Sequence, residues 1–136
     1  MARETKRATV VWQEGLRFTG SAPGGPAITV DGDNVAGPGP MLTLLLAAAA
    51  CTGSDVVLIL EKMRVDLGGL RIEVAGARRE EEPRRYVAIH LDYHLRGKGI
   101  DPVKARRAID LSLEKYCSVI HSLAHDIAVT YALSLD

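Results

Sequence analysis

The sequence predicts an α+β fold with a mainly antiparallel sheet. Strand-like segments cluster instead of alternating regularly with helices, and one long apolar helix pattern separates the first cluster from the rest. With 136 residues, of which 47% are hydrophobic, the chain is large enough to bury a core. We therefore expect a single domain over residues 1–136, without internal repeats.

The N-terminal part predicts three short strands. Val10 and Trp12 alternate with Arg7 and Thr9, which is typical of a half-buried strand. Prolines and glycines at 21–26 predict a turn, because they remove backbone donors and allow positive φ. The predicted strands cover residues 5–12, 16–19 and 27–30.

A Leu- and Ala-rich helix is predicted from about residue 40 to 64, with Pro40 in its first turn. It is apolar on nearly all sides up to Cys51, so we expect most of its surface to be covered. Gly53 costs about 1 kcal/mol relative to alanine and indicates the close approach of another backbone or a ligand. Asp55 would cost roughly 2.5 to 3.5 kcal/mol inside a bilayer, which favours a buried helix over a membrane span.

The C-terminal part predicts strands, two helical segments and a last strand. An apolar face including Ile89, Leu91 and Tyr93 makes the middle strand the clearest, and mixed charges at 77–85 predict a solvated hairpin tip. Asp101 and Pro102 suit a helix start. The predicted strands are 70–74, 87–95 and 127–135, and the predicted helical segments are 101–116 and 117–125.

The balanced overall charge predicts neither a nucleic-acid partner nor a membrane partner. Lys and Arg total 17, as do Asp and Glu, so no global field favours nucleic acid or a membrane surface. The N-terminus is charged and lacks the apolar run of a secretory signal. We expect a cytoplasmic protein.

Cys51 and Cys117 are the chain's two cysteines, and their distance in sequence fits neither a CxxC pair nor a zinc set. Each thiol is either a small packing residue or a reactive group in a partly dry pocket. Cys117 is predicted at a helix N-terminus, where the dipole favours thiolate. The pair could form a disulfide only if their Cα atoms lie within about 7 Å.

Other candidate site residues carry weaker signals. His90 and His94 lie on a polar strand face, and His121 and His125 lack an accompanying HExxH glutamate, so no metal site is predicted. Arg17 follows a predicted turn and is either a solvated edge residue or a guanidinium that lowers a thiol pKa.

Two segments resemble a known family. Residues 39–53, with Asp55 and 62–64 beyond them, form the first segment, and residues 106–119 around Cys117 form the second. Together they resemble the OsmC/Ohr family of osmotically inducible and organic hydroperoxide resistance proteins, in its OsmC-like branch. The resemblance implies an intertwined homodimer of α+β subunits, with long helices buried between sheets and two sites at the subunit interface.

The resemblance also implies residue roles. Cys51 would be the peroxidatic thiol, Cys117 the resolving thiol, and Arg17 the group that activates Cys51. The expected reaction is reduction of organic hydroperoxides, with hydrogen peroxide as a second candidate substrate. No cofactor is expected, and an external dithiol would restore both thiols.

The chain departs from the family at the start of the long helix. Met41 and Leu42 stand where the family commonly has a glutamate that pairs with the arginine. Arg17 would then be unanchored, or anchored by Glu14 or Asp55. This departure favours the alternative function of a non-catalytic dimer that binds an apolar ligand or senses oxidation.

Overall fold

The computed structural model describes residues 3–136 and has an α+β fold. Its elements in chain order are β1 (Thr9–Glu14), β2 (Arg17–Ser21), β3 (Ile28–Asp31), α1 (Pro40–Lys62), β4 (Asp66–Arg78), β5 (Tyr86–Lys98), α2 (Pro102–Leu111), a π-helical turn (Ser112–Tyr116), α3 (Ser118–Ser122) and β6 (Ala128–Leu135). The chain divides into two compact units, residues 3–44 and Leu45–Asp136, and α1 begins in the first and continues through the second. The expectation of one domain stays a prediction.

The first unit contains an antiparallel sheet in the order β1, β2, β3. Phe18 of β2 lies between Trp12 and Val30 in the register. The prediction of a half-buried first strand is wrong for the single chain, because every residue of β1 is exposed. Alternation correctly indicated a strand, but side chains on both of its faces are exposed.

A buried carboxylate organises the loop after β3. Asp31 accepts hydrogen bonds from the backbone N–H groups of Asp33, Val35 and Ala36. These backbone donors hold the pKa of Asp31 below its usual value. The loop that leads to α1 therefore has a fixed polar anchor.

The second unit contains the sheet β4, β5, β6. β4 and β5 pair antiparallel, whereas β5 and β6 pair parallel. The predicted apolar face of β5 is confirmed from Ile89 to Leu95, while Val87 is exposed and Tyr86 is buried instead. β4 is longer than predicted and includes Gly68 and Gly69, which precede the predicted strand start at residue 70.

One face of α1 packs against the sheet of the second unit. Its buried residues recur at helical spacing: Leu45, Ala48, Thr52, Gly53, Val56 and Leu60. A Cβ at Gly53 would lie 3.2 Å from Ile72 Cδ1, so a β4 side chain, rather than a backbone or ligand, makes the close approach. The opposite face is open in the single chain, contrary to the expectation that most of the helix is covered. By length and composition alone α1 could cross a membrane, a test that core helices also pass.

The region before Cys117 differs from the predicted continuous helix. Asp101 caps the start of α2 by accepting the Lys104 N–H at 2.8 Å, and the helix ends at Leu111. The π-helical turn follows and closes with the Cys117 N–H donating to the Ser112 carbonyl at 2.7 Å. Cys117 has extended backbone angles, so α3 starts one residue later than predicted and is shorter.

Candidate functional site

The second unit brings the two cysteines together. Cys51 lies half-buried on α1, and Cys117 is fully buried between the π-helical turn and α3. Both are free thiols, and the Cys51 side chain lies close enough to the Cys117 thiol to raise its pKa. Two residues far apart in sequence thus form a neighbouring thiol pair. The contact opposes the interpretation of two unrelated packing cysteines.

Burial raises the pKa of the Cys117 thiol. Desolvation raises the pKa of the Cys117 thiol to about 11, and nearby Cys51 and Asp55 add to the increase. The Ile120 backbone N–H acts in the opposite direction without overcoming burial. At neutral pH, Cys117 is therefore held as a thiol, despite its place at the start of a helix.

A buried chain of hydroxyl groups lies beside the thiols. Thr52 Oγ1 is 2.8 Å from the Tyr93 hydroxyl and 2.7 Å from Ser112 Oγ. Ser112 Oγ in turn donates to Asp55 Oδ2 at 2.8 Å. Thr52, Tyr93 and Ser112 are all fully buried. This row of hydrogen-bonded hydroxyl groups therefore connects the sheet, α1 and the π-helical turn.

The direction of this hydrogen-bond chain follows from its end. Ser112 gives its single hydroxyl proton to Asp55, so it must accept from Thr52. Thr52 has then used its own proton, and Tyr93 must donate to it. All three hydroxyl protons point towards the Asp55 carboxylate. Burial raises the pKa of Tyr93 to about 12, which keeps the phenol protonated as donor.

A shallow groove of about 300 Å³ adjoins this chain of hydrogen-bonded hydroxyl groups. Asp55 forms part of its wall, as does Tyr116, the residue before Cys117. The other lining residues are Leu58, Ile59, Lys62 and Leu111. The groove thus combines apolar walls with one acidic and one basic side chain.

Arg17 lies in the first unit, on β2. Its Nη1 is 3.3 Å from Glu14 Oε1, so Glu14 is the anchor among the two carboxylates expected from the sequence. Asp55, the other, accepts from Ser112. Within residues 3–136, the buried Nε of Arg17 has no hydrogen-bond partner. The role of Arg17 towards Cys51 stays a prediction.

The histidines make local contacts. His90 Nδ1 is 2.6 Å from Thr130 Oγ1, and His121 Nε2 is 3.0 Å from the Leu113 carbonyl. Over the described part of the chain, no three His, Cys, Asp or Glu side chains are grouped so that they could hold a metal ion.

Comparison with known proteins identifies the family. The model of the OsmC-like protein family matches residues 31–132, three quarters of the chain and both cysteine segments. The chain belongs to the OsmC-like family. This confirms the resemblance found in the two segments. Protein YhfA of Escherichia coli K12 is 39% identical over 127 residues, which cover 93% of this OsmC-like chain and 95% of YhfA.

Solved structures share the OsmC-like fold. An OsmC-like protein from Mycoplasma pneumoniae superposes with a TM-score of 0.84 at 19% identity, covering 98% of this chain and 99% of the other. The organic hydroperoxide resistance protein OhrB of Bacillus subtilis gives a TM-score of 0.63 at 16% identity, covering 96% and 98%. At these identities the likeness shows the fold alone. The predicted α+β class of OsmC-like type is confirmed.

Sequence reasoning missed the hydroxyl chain. Tyr93 was predicted on a buried strand face and Ser112 on a helix, but neither position signals a polar contact. Thr52 stands in the polar junction after Cys51, which was the available hint. Only the packing of α1 against β5 and the π-helical turn brings these hydroxyls together.

Proposed function

We propose that this OsmC-like protein is a thiol peroxidase that reduces organic hydroperoxides. The observation that carries the proposal is the contact between Cys51 and Cys117, which gives an oxidised Cys51 a thiol partner within the same chain. Cys51 is the more accessible of the two, so it is the candidate for attack on peroxide. The family relationship to hydroperoxide resistance proteins supports the same chemistry.

The proposed reaction has two steps in the protein. The Cys51 sulfur attacks the outer peroxide oxygen, the O–O bond breaks, and Cys51 sulfenic acid and an alcohol form. The Cys117 sulfur then attacks the sulfenic sulfur, and the hydroxyl group leaves as water with the Cys117 proton. An external dithiol reduces the resulting disulfide and becomes a disulfide itself. A reducing cytoplasm would provide such a reductant.

A homodimer is part of the proposal. Exposed apolar side chains occur on α1, including Leu46 and Leu58, and on β1, including Val10 and Trp12. Large exposed apolar surface on a single chain is typical of an oligomer interface. A second copy would cover these faces and complete the environment of α1.

Arg17 is proposed to stabilise the negative charge that develops at the sulfur and the peroxide oxygens. A guanidinium keeps its charge at all relevant pH values and offers several donors. Its ion pair with Glu14 provides the carboxylate that Met41 and Leu42 do not.

A second candidate function is a non-catalytic dimer that binds an apolar ligand or senses oxidation. The groove beside Asp55, with Leu58, Ile59 and Leu111 in its walls, favours this alternative. Such a protein would bind ligand or form one disulfide without sustained turnover.

The proposal is tested with freshly reduced protein, one equivalent of cumene hydroperoxide and mass spectrometry. We expect a Cys51–Cys117 disulfide, followed by continued peroxide consumption when a dithiol is added. Cys51→Ser should abolish turnover, because the attacking sulfur is lost. Cys117→Ser should leave a sulfenic acid on Cys51.

Cys51→Ser also serves as the matched control for background reaction of the dithiol with peroxide. Turnover that is unchanged in this variant would reject the peroxidase. A single disulfide without turnover, under excess dithiol, would instead support the sensing function.

A further inference from the structure

Ser112 links the backbone of Cys117 to the helix that carries Cys51. Its carbonyl accepts the Cys117 N–H at 2.7 Å and closes the π-helical turn. Its hydroxyl lies between Thr52 at 2.7 Å and Asp55 at 2.8 Å, both on α1. Thr52 directly follows Cys51 in the chain. Ser112 thus holds Cys117 through its backbone carbonyl. Through its side chain it holds the turn of α1 that carries Cys51.

The π-helical turn makes this link geometrically important. A π-type hydrogen bond spans five residues, and such turns are uncommon in proteins and frequent at functional sites. The turn ends where Cys117 leaves helical geometry, with φ −69° and ψ 99°. Because Ser112 forms the other end of the same bond, anchoring it fixes where the Cys117 side chain leaves the turn.

Burial makes the anchor sensitive to deletion of a hydroxyl group. Ser112, Thr52 and Tyr93 have no exposed surface, so solvent at the surface does not replace a lost partner. The hydrogen bonds also run in one direction, from Tyr93 through Thr52 and Ser112 to Asp55. Removal of the Ser112 hydroxyl therefore deprives Thr52 of its acceptor and Asp55 of its donor.

We propose that Ser112, supported by Thr52 and Asp55, is a positioning residue for closure of the Cys51–Cys117 disulfide. Closure has narrow geometric limits, so a small shift of the π-helical turn would slow it. For closure after peroxide, the inference rests on the proposed function: Cys51 sulfenic acid and Cys117 thiol give the disulfide and one water. The anchoring itself is independent of the oxidant.

The first experiment compares wild type with Ser112→Ala after one equivalent of cumene hydroperoxide. Dimedone added at a fixed time traps any remaining Cys51 sulfenic acid, and mass spectrometry gives the ratio of disulfide to trapped adduct. We expect that ratio to fall about fivefold to tenfold in Ser112→Ala, the effect of losing roughly one buried hydrogen bond from the closing geometry. An unchanged ratio would overturn the inference.

A second measurement does not need peroxide. Reduced protein is equilibrated with glutathione disulfide, which oxidises the cysteine pair and gives two molecules of glutathione. Ser112→Ala should shift this equilibrium towards the dithiol by a similar factor. If wild type does not react with peroxide but Ser112→Ala shifts the glutathione equilibrium relative to wild type, the peroxidase proposal fails and the positioning inference stands. If wild type reacts with peroxide and neither quantity changes in the variant, the reverse holds.

Thr52 offers a matched pair of variants. Thr52→Ser keeps the hydroxyl and should retain the wild-type equilibrium, whereas Thr52→Val keeps the shape and should behave like Ser112→Ala. Leu60→Ala controls for general destabilisation, because Leu60 is buried on the same helix and makes no hydrogen bond to the chain of hydroxyls. Equal equilibria for Thr52→Ser and Thr52→Val, or a shift as large in Leu60→Ala, would overturn the positioning role.

Discussion

At the scale of single residues, the thiols of Cys51 and Cys117 are neighbours but differ in how far they are buried. Cys117 is fully buried and its pKa is about 11, while Cys51 remains partly accessible. An accessible thiol meets a peroxide first, and a buried thiol next to it is protected until an oxidised partner forms. This division fits the peroxidatic and resolving roles proposed from the family resemblance.

The pKa of Cys117 predicts how stability depends on pH. The folded thiol titrates at about 11 against an ordinary value of 9.0, so the unfolded chain ionises first as pH rises. The stabilising contribution is complete below pH 9 and is lost as the pH passes through 11. Tyr93, raised to about 12, contributes over a range about one unit higher.

The measurement is urea unfolding under reducing conditions at several values between pH 8 and 11. Wild type should lose more free energy of unfolding over this interval than Cys117→Ala, which has no thiol to titrate at this position. The Cys51→Ala variant controls for removal of a neighbouring thiol. Parallel pH profiles for wild type and Cys117→Ala would contradict a buried, neutral Cys117.

At the scale of elements, the β1–β2 hairpin presents Arg17 beside its turn. Glu14 ends β1 and Arg17 begins β2, which places their charges 3.3 Å apart. Because both side chains are substantially exposed, this ion pair contributes at most about 1 kcal/mol to stability. We therefore expect Arg17 substitutions to affect activity more than folding.

Arg17→Gln should lower kcat/KM for cumene hydroperoxide about a hundredfold, the usual cost of losing one charge-stabilising donor group. Arg17→Lys should retain part of the rate, since it keeps charge but not the planar arrangement of donors. Arg107→Gln, on the exposed side of α2, is the control for a general loss of positive charge. Full activity of Arg17→Gln would exclude Arg17 from the site.

At the scale of the whole molecule, the apolar surface of the single chain supports the proposed homodimer. The apolar stretch of α1 is long, yet only 33% of it is buried in the single chain. Trp12, the only tryptophan, is 62% exposed on β1. A second copy would remove these surfaces from water.

Sedimentation should give twice the chain mass of 14.6 kDa at micromolar concentration. The Trp12 emission maximum should move to longer wavelength on dilution, because dissociation exposes the indole ring. Leu46→Asp places a charge on the exposed face of α1 and should shift the equilibrium to monomer, whereas Glu61→Gln on the same helix should not. A monomer at every concentration would refute the homodimer.

The sequence by itself determined the element order, the apolar face of β5 and the family. Periodicity reports which side of an element is apolar, and the segments around Cys51 and Cys117 are distinctive. Element ends were less well predicted: β4 includes two glycines, and the segment after α2 is a π-helical turn. In both cases pairing or packing overrides local propensity.

Only the tertiary structure decided which polar groups meet. Thr52 and Ser112 are separated by most of the second unit in sequence, and no pattern in either segment predicts their hydrogen bond. The same is true of the contact between the thiols. Hydrogen bonds and thiol contacts act over a few ångströms, so they depend on how elements pack rather than on the residues along each element.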